Sequence, residues 1–213
     1  MPSLEILITF TLASLVLNLS PGPSNLYVMA RAIAQGTRVG VLASCGLAVG
    51  SLVHVLATVL GLSVLFTHSP MLYTAVKLLG AAYLVYLGID YWRSAPLTSG
   101  IPSRPLAQKS AGKVFAESIL VEVTNPKTAL FFIAFLPQFV VPEAGPVAWQ
   151  LLLLGIIVTL SGLPCDMVIA LSSSKAASWL LRHPGAQRVQ QRVSGTLLLG
   201  MGAWIFVEEA TAG

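Results

Sequence analysis

Six ionisable side chains in apolar stretches of the sequence are candidates for a functional role, because a charge there is costly. They are His54, Lys77, Glu117, Glu122, Lys127 and Asp166. Placing a charge near the centre of a membrane-spanning helix costs roughly 2.5 to 3.5 kcal/mol, so such residues need a functional or a pairing role. A carboxylate can bind an ammonium group or exchange a proton, and a lysine can bind a carboxylate. These residue types predict a site that binds small charged molecules and protons.

Four candidate site residues cluster within six positions of one apolar stretch. They are Glu122, Asn125, Pro126 and Lys127. A proline interrupts a helix because it lacks an amide hydrogen and clashes with the preceding turn. Polar side chains and freed backbone groups therefore meet at one point, and we predict that all four residues bind substrate. Lys127 either receives a substrate carboxylate or neutralises Glu122.

A second interruption is the sequence NLSPGPSN at positions 18–25. Pro21, Gly22 and Pro23 cannot continue a straight helix. Ser24 and Asn25 are suited to cap or line a helix that restarts there. The N-terminus of such a half-helix carries partial positive charge, which favours a carboxylate. We predict that these five residues form one wall of the substrate site and that the Glu122–Lys127 cluster forms the other.

Asp166, Glu122 and His54 are the candidates for proton coupling. Asp166 follows Pro164 in an apolar stretch. It either exchanges a proton, binds an ammonium group or forms a structural ion pair. His54 lies near the middle of its own stretch, where it is either a hydrogen-bonded packing residue or a group that exchanges protons near neutral pH.

The composition predicts that membrane-spanning helices position these groups. The chain has 213 residues, of which 55% are hydrophobic and 9% are charged, whereas soluble domains carry roughly 25% charged residues. The net charge of +4 does not indicate nucleic-acid binding, because the basic residues lie in short connections between apolar stretches. Six stretches approach the roughly 20 residues that a span requires. They cover residues 4–34, 39–66, 71–92, 114–141, 147–174 and 193–207.

The six stretches predict an all-α integral membrane protein with six transmembrane helices in two related halves. Prolines break helices 1 and 4, and three spans per half give the halves opposite orientations. This is a 3+3 inverted-topology repeat, a common architecture of secondary transporters. We assign residues 1–92 to the first repeat, 93–113 to a cytoplasmic linker and 114–213 to the second repeat. Lys and Arg lie in alternate connections, which places these connections in the cytoplasm and both termini in the periplasm.

The chain resembles the LysE/RhtB family of bacterial amino-acid exporters over nearly its whole length. The residues that carry the resemblance are Pro21, Gly22, Pro23 and Asn25; Gly46, Leu47, Gly50 and His54; Lys77, Gly80, Ala81, Tyr83, Leu84 and Gly88; and Asn125, Pro126, Lys127, Phe132, Pro137, Gln138 and Phe139. The resemblance implies export of amino acids or close derivatives across the bacterial inner membrane in exchange for protons. Family members differ in substrate, including homoserine, threonine and leucine, so the amino acid itself stays open.

Other functions remain open from the residues alone. The sequence has no Gly-x-Ser-x-Gly, no His-Glu-x-x-His and no phosphate-binding loop, so we expect neither an enzyme nor a cofactor. An exporter of metal or other small ions would use His54, Glu122 and Asp166, although we expect no resident metal. A transmembrane thiol–disulfide relay would use Cys45 and Cys165. A scaffold without transport would have no use for charges at mid-membrane. The expected partners are an amino acid, protons and the lipid bilayer, with a homodimer left open.

Overall fold

The computed structural model describes residues 1–19, 22–93, 107–172 and 183–212, and the regular structure within these ranges is entirely helical. The all-α prediction is thus confirmed for them. The α-helices are α1 Leu4–Leu19, α2 Pro23–Gln35, α3 Thr37–His68, α4 Pro70–Arg93, α5 Ala111–Val123, α6 Pro126–Leu130, α7 Val147–Ser172 and α8 Pro184–Ala212. A π-helix, Phe131–Phe135, and two 3₁₀ turns, Leu136–Phe139 and Pro142–Ala144, connect α6 to α7.

The first predicted break divides its stretch into α1 and α2. Helix α1 ends at Leu19, α2 begins at Pro23, and the two axes differ by 53°. Pro23 occupies the first turn of α2, where a missing amide hydrogen costs nothing because that position has no helical acceptor. Pro21 lies outside the described residues. The break leaves carbonyls at the end of α1 and amides at the start of α2 without partners inside their helices.

The second predicted break separates α5 from the helical segment that begins at Pro126, with a bend of 44°. Helix α5 ends at Val123. Asn125 caps the new helix, because its side-chain oxygen accepts a hydrogen bond from the Lys127 amide at 3.1 Å. Pro126 then takes the first turn of α6. Both predicted breaks therefore occur at their prolines.

A run of phenylalanines interrupts the single helical segment expected to continue from the second break to residue 141. Helix α6 lasts only five residues before the π-helix begins. The rings of Phe131 and Phe135 pack on Phe10 of α1, with centroids 6.2 Å and 6.4 Å from the Phe10 ring. Ala134 approaches Gly80 of α4 so closely that an added Cβ at Gly80 would lie 1.8 Å from the Cβ of Ala134. The π-helix therefore packs against both α1 and α4.

Helices α3 and α7 form one antiparallel pair, and α4 and α8 form another. In each pair the contacting residue numbers rise on one helix as they fall on the other. The contacts are Gly40 with Ala170 and Val55 with Gly155 in the first pair, and Ala81 with Gly202 and Gly88 with Gly195 in the second. Helix α3 also packs against α5, in a parallel direction, through Gly46 and Gly50. Small residues at these crossings allow close approach of the backbones.

By length and composition, three helices of the described chain can cross a membrane, namely those at residues 37–64, 147–172 and 185–211. Each bent pair, α1 with α2 and α5 with the segment after it, can add one more, which gives up to five. Helix α4 corresponds to the third of the six predicted spans but is not among these five. It carries Lys77, Asp90 and Arg93 within its 24 residues. The six-span repeat therefore remains a proposal.

Candidate functional site

The two helix breaks meet at a small central cavity of about 40 Å³. Helices α1, α2, α3 and α7 and the α5–α6 break all contribute to its wall. Six of the predicted site residues line it: Ser24, Asn25, Glu122, Asn125, Lys127 and Asp166. The structure therefore brings together side chains that are up to 142 positions apart in the sequence.

The Glu122 side chain extends from α5 to the N-terminal end of α2. Its carboxylate accepts a hydrogen bond from the hydroxyl of Ser24, in the first turn of that helix. The Asn125 side-chain nitrogen donates to the same Ser24 hydroxyl oxygen at 2.8 Å. Glu122 is only 8% exposed, and the partial positive charge of a helix N-terminus stabilises a buried carboxylate. The first turn of α2 and Asn125 thus hold the anionic side of the cavity.

The Lys127 ammonium lies at the C-terminal end of α1. Its Nζ donates to the backbone carbonyl of Leu17 at 3.2 Å, in the last turn of α1, where carbonyls lack helical partners. The C-terminal end of a helix favours a positive charge. Gly22 leaves room for this lysine, since an added Cβ there would lie 3.0 Å from Nζ. The broken helix therefore accommodates both buried charges, the anion at one half-helix end and the cation at the other.

Asp166 is the third charge at the cavity, and its surroundings differ. It reaches the cavity from α7 and lies within electrostatic range of Glu122 and Lys127. Among the described residues it has no hydrogen bond or ion pair, and its side chain is partly exposed. Of the three cavity charges, Asp166 is the one that the described residues leave without a bonded partner. A carboxylate in that condition can accept a hydrogen bond from an ammonium group or take up a proton.

The remaining predicted residues shape the cavity or lie beside it. Pro23 and Pro126 occupy the first turns of α2 and α6 and so set where these helices begin. His54 does not line the cavity. Its Nε2 lies 2.9 Å from the backbone oxygen of Glu122, and its ring stacks on Phe132 with centroids 5.7 Å apart. His54 is therefore in contact with the Glu122 backbone rather than with the site itself.

Ser51, Thr128 and Thr159 line the cavity and had not been predicted, whereas Asn18 belongs to the predicted NLSPGPSN wall without having been named as a site residue. Asn18 donates to the Val158 carbonyl at 3.3 Å, and its own carbonyl accepts a hydrogen bond from Asn25 at 3.0 Å. Ser51 and Thr159 form a hydroxyl pair between α3 and α7 at 2.8 Å. A signal existed for Asn18, which stands four positions before Gly22 as Glu122 stands four before Pro126. The uncharged hydroxyls gave no comparable signal.

A second group of charges, the Glu117 cluster, joins α2 to α5 away from the cavity. Lys109 donates to the Glu117 carboxylate at 2.6 Å and 2.7 Å, and the Tyr27 hydroxyl donates to it at 3.0 Å. Arg31, which is 4% exposed, lies 3.5 Å from the same carboxylate. Gln35 adds a hydrogen bond to the Lys109 carbonyl at 2.8 Å. Glu117 is therefore a structural ion-pair centre.

The described residues contain no group of three or more His, Cys, Asp or Glu side chains that could share a metal ion. Cys45 and Cys165 are free thiols, and Cys165 is buried. Lys77, predicted within a span, pairs with Glu209 at 2.8 Å between α4 and α8. Nothing in these contacts favours the metal exporter or the thiol relay over transport of an organic ion.

Comparison with known proteins identifies the family of this chain. The family model described as LysE type translocator matches residues 15–209. The chain is 34% identical over 199 residues to a homoserine/homoserine lactone efflux protein of Salmonella typhimurium, covering 91% of this chain and 92% of the relative. It is 32% identical over 132 residues to a leucine efflux protein of Salmonella choleraesuis, covering 62% of each.

An uncharacterized membrane protein of Vibrio cholerae is 29% identical over 212 residues, covering 97% of this chain and 99% of the relative. No solved structure matches the chain. The membrane relatives and the long apolar helices together make this a multi-pass membrane protein. The family match covers nearly all of the sequence, and the chain belongs to the LysE type translocator family.

Proposed function

We propose that this protein is a secondary exporter that moves amino acids or close derivatives out of the bacterial cytoplasm across the inner membrane. The relatives named for homoserine and leucine efflux support this substrate class. The observation that carries the proposal is the central cavity, where a broken helix, a buried Lys127 and two carboxylates surround one small space. This arrangement suits a zwitterion, which needs a positive region and a negative one a few ångströms apart.

In the proposed complex each end of the zwitterion has its own partner. The substrate carboxylate binds near Lys127 and the amides of Ser24 and Asn25, which lie in the first turn of α2 and have no helical acceptor. The α-ammonium binds Asp166, the carboxylate that the described residues leave unbonded. Glu122 already accepts from Ser24, so it balances Lys127 and is the second candidate for the ammonium.

Proton antiport follows if the ammonium and a proton compete for Asp166. A deprotonated Asp166 binds the substrate ammonium from the cytoplasm and releases it outside when a proton takes its place. The protonated site then returns and loses the proton to the cytoplasm. One carboxylate that holds either cation, but not both, is sufficient to couple the two fluxes in opposite directions. Glu122 and His54 are the further candidates for this coupling.

The packing supports the proposed inverted repeat, a common architecture of transporters that work by alternating access. Gly50 of α3 faces Glu122, the last polar residue before the second break, and Gly162 of α7 faces Asn18, which precedes the first break. The α3–α7 and α4–α8 pairs are both antiparallel, as equivalent helices of inverted halves should be. We infer six spans, with α4 included, and two repeats covering residues 1–92 and 114–213. The basic connections then lie in the cytoplasm and both termini in the periplasm.

The cavity must widen before it can hold a substrate. At roughly 10 to 15 Å³ per water, the present space of about 40 Å³ holds about three waters. The Glu117 cluster ties α2 to α5 about one to two turns beyond Ser24 and Glu122. In the proposed orientation this is the cytoplasmic side, so opening toward the cytoplasm separates Arg31 and Tyr27 from Glu117.

Transport by the purified protein in proteoliposomes tests this function. We expect homoserine or leucine counterflow, and we expect a pH gradient to drive net flux. Asp166→Asn should lose the response to the pH gradient and keep only weakened exchange between equal substrate pools, because its amide oxygen still accepts a hydrogen bond from the ammonium but carries no charge. Glu122→Gln should weaken both activities. The exposed Glu143→Gln provides a matched control that lies outside the cavity. Wild-type coupling in both cavity variants would remove Asp166 and Glu122 from the coupling mechanism.

The alternatives make different predictions in the same vesicles. A thiol relay requires both cysteines, so a Cys45→Ala/Cys165→Ala double variant with full amino-acid transport excludes it. An ion exporter would move a divalent cation and leave amino acids untouched. A panel of toxic amino-acid analogues applied to an expressing strain then identifies the substrate class, since export confers resistance.

A further inference from the structure

Two hydroxyl residues form a polar patch on an otherwise apolar part of the cavity wall. Ser51 of α3 and Thr159 of α7 are 7% and 8% exposed, and their oxygens lie 2.8 Å apart. Both line the cavity, next to the apolar side chains of Leu47 and Val158. Neither residue belongs to the charged group that binds the zwitterion in the proposed mechanism. The patch is therefore positioned to contact another part of the substrate.

The hydrogen-bond inventory of this pair shows what it can recognise. Each hydroxyl has one proton and two lone pairs. The Thr159 hydroxyl lies 3.1 Å from the Gly155 carbonyl oxygen, and either hydroxyl of the pair could donate to the other. When Thr159 donates to Gly155, Ser51 donates to Thr159, and the remaining lone pairs of both oxygens accept. In this arrangement the patch accepts a hydrogen bond from a substrate donor.

The spacing along α7 sets the length of a suitable ligand. Thr159 and Asp166 are seven positions apart on α7 and both line the cavity, so they lie on one face with an axial separation of about 10.5 Å. A ligand bonded to both needs two hydrogen bonds of about 2.8 Å each. About 5 Å then remains between its ammonium nitrogen and its donor, a distance that an extended chain of three carbon atoms spans.

We propose that the Ser51–Thr159 pair determines specificity by accepting a hydrogen bond from a hydroxyl group on the substrate side chain. The preferred substrates are therefore small hydroxylated amino acids of homoserine length. This inference rests on the proposed export function, because the ligand length is derived from the distance to Asp166, the residue that binds the ammonium in that proposal. Leu47 and Val158 contact the carbon atoms between the two polar ends. An amino acid of equal size without the hydroxyl leaves the acceptors unpaired.

Homoserine and norvaline provide the matched pair of substrates, since a methyl group replaces the hydroxyl. We expect the wild type in proteoliposomes to transport homoserine with a transport efficiency about tenfold higher than norvaline, as one hydrogen bond allows. The Ser51→Ala/Thr159→Val double variant should transport both at similar rates. Thr58→Val is the control, because Thr58 is buried on the same helix and is not a cavity residue, and it should keep the preference.

Variants that keep the hydroxyls separate specificity from folding. Ser51→Thr and Thr159→Ser should retain the preference for homoserine, and continued norvaline transport shows that the double variant is folded. An unchanged preference in the double variant overturns the inference, as does a wild type that moves both substrates equally. Loss of the preference in both hydroxyl-retaining variants also overturns it. A wild type that moves neither amino acid contradicts the export function itself, which is a different outcome from transport without discrimination.

Discussion

The close approach of α3 to α5 beside Glu122 predicts a large difference between two alanine substitutions. At Gly50 an added Cβ would lie 2.7 Å from the Glu122 Cβ and 2.8 Å from the Ile119 carbonyl oxygen, whereas ordinary contact begins at 3.4 Å. At Gly162, the position that corresponds to Gly50 in the proposed repeat, the nearest atoms belong to Asn18 and lie at 3.4 Å. Gly50→Ala therefore requires α5 to move by roughly 0.6 Å, and Gly162→Ala requires no movement.

The comparison isolates the clash because both variants gain the same helix propensity, about 1 kcal/mol for alanine over glycine. Overpacking of this kind costs about 1 to 3 kcal/mol, so the two variants should differ by about 2 kcal/mol. For a chain of this size that difference corresponds to about 4 to 8 °C in Tm. Gly50→Ala should also reduce transport, because the shift displaces Glu122 at the cavity.

Thermal unfolding of the two purified variants in detergent measures this difference, and proteoliposome counterflow measures the accompanying loss of transport. We expect Gly162→Ala to be as stable as the wild type or more so. Equal Tm values for the two variants would show that α3 and α5 do not meet as closely at Gly50 as described.

The charged contacts lead to two further expectations. Lys127→Met should lower the free energy of unfolding by roughly 1 to 3 kcal/mol, because the buried carbonyl of Leu17 loses its donor. We expect a lower Tm and loss of transport. The control Lys113→Met, at an exposed lysine, should have neither effect. Glu117→Gln removes the ion pairs with Lys109 and with the buried Arg31. Loss of the Lys109 pair should cost at most about 1 kcal/mol, since both side chains are about one quarter exposed, and the buried Arg31 charge left without its carboxylate adds to that cost. Its Tm decrease should shrink as salt is added, and a salt-independent decrease would show that hydrogen bonding dominates the cluster.

The helix boundaries were largely predictable because their causes are local. Pro23 and Pro126 stop and restart helices wherever they occur, and the apolar stretches follow from composition alone. Helix α8 begins at Pro184, nine positions before the predicted start, because its first turns are polar and carry no apolar signal. Most of the predicted linker, residues 94–106, lies outside the described residues.

The site was predictable where a buried charge or a helix break marked it, and the break marked Ser24, Asn25 and Asn125. Glu122, Lys127 and Asp166 stand out because charges in an apolar stretch need a reason, and the structure places all three at one cavity. Their roles stay predictions. Ser51 and Thr159 were not recognisable, since hydroxyls in helices commonly bond to their own backbone, as Ser14 and Ser44 do at 2.8 Å and 3.1 Å.

Features that depend on contacts between distant helices were also beyond the sequence. The π-helix after α6 coincides with rings that pack on Phe10 and a backbone that meets Gly80. Neither contact has a signature in the residues 131–135 themselves. His54 illustrates the same limit, because its residue type suggested proton exchange and only the fold shows its bond to the Glu122 backbone.

The structure of the protein with a bound amino acid is the most direct measurement of the central claim. We expect homoserine in the widened central cavity, with its carboxylate at Lys127 and the start of α2, its ammonium at Asp166 and its hydroxyl near Thr159. An amino acid bound elsewhere, or bound in the cavity with its ammonium away from both carboxylates, would contradict the proposed substrate site.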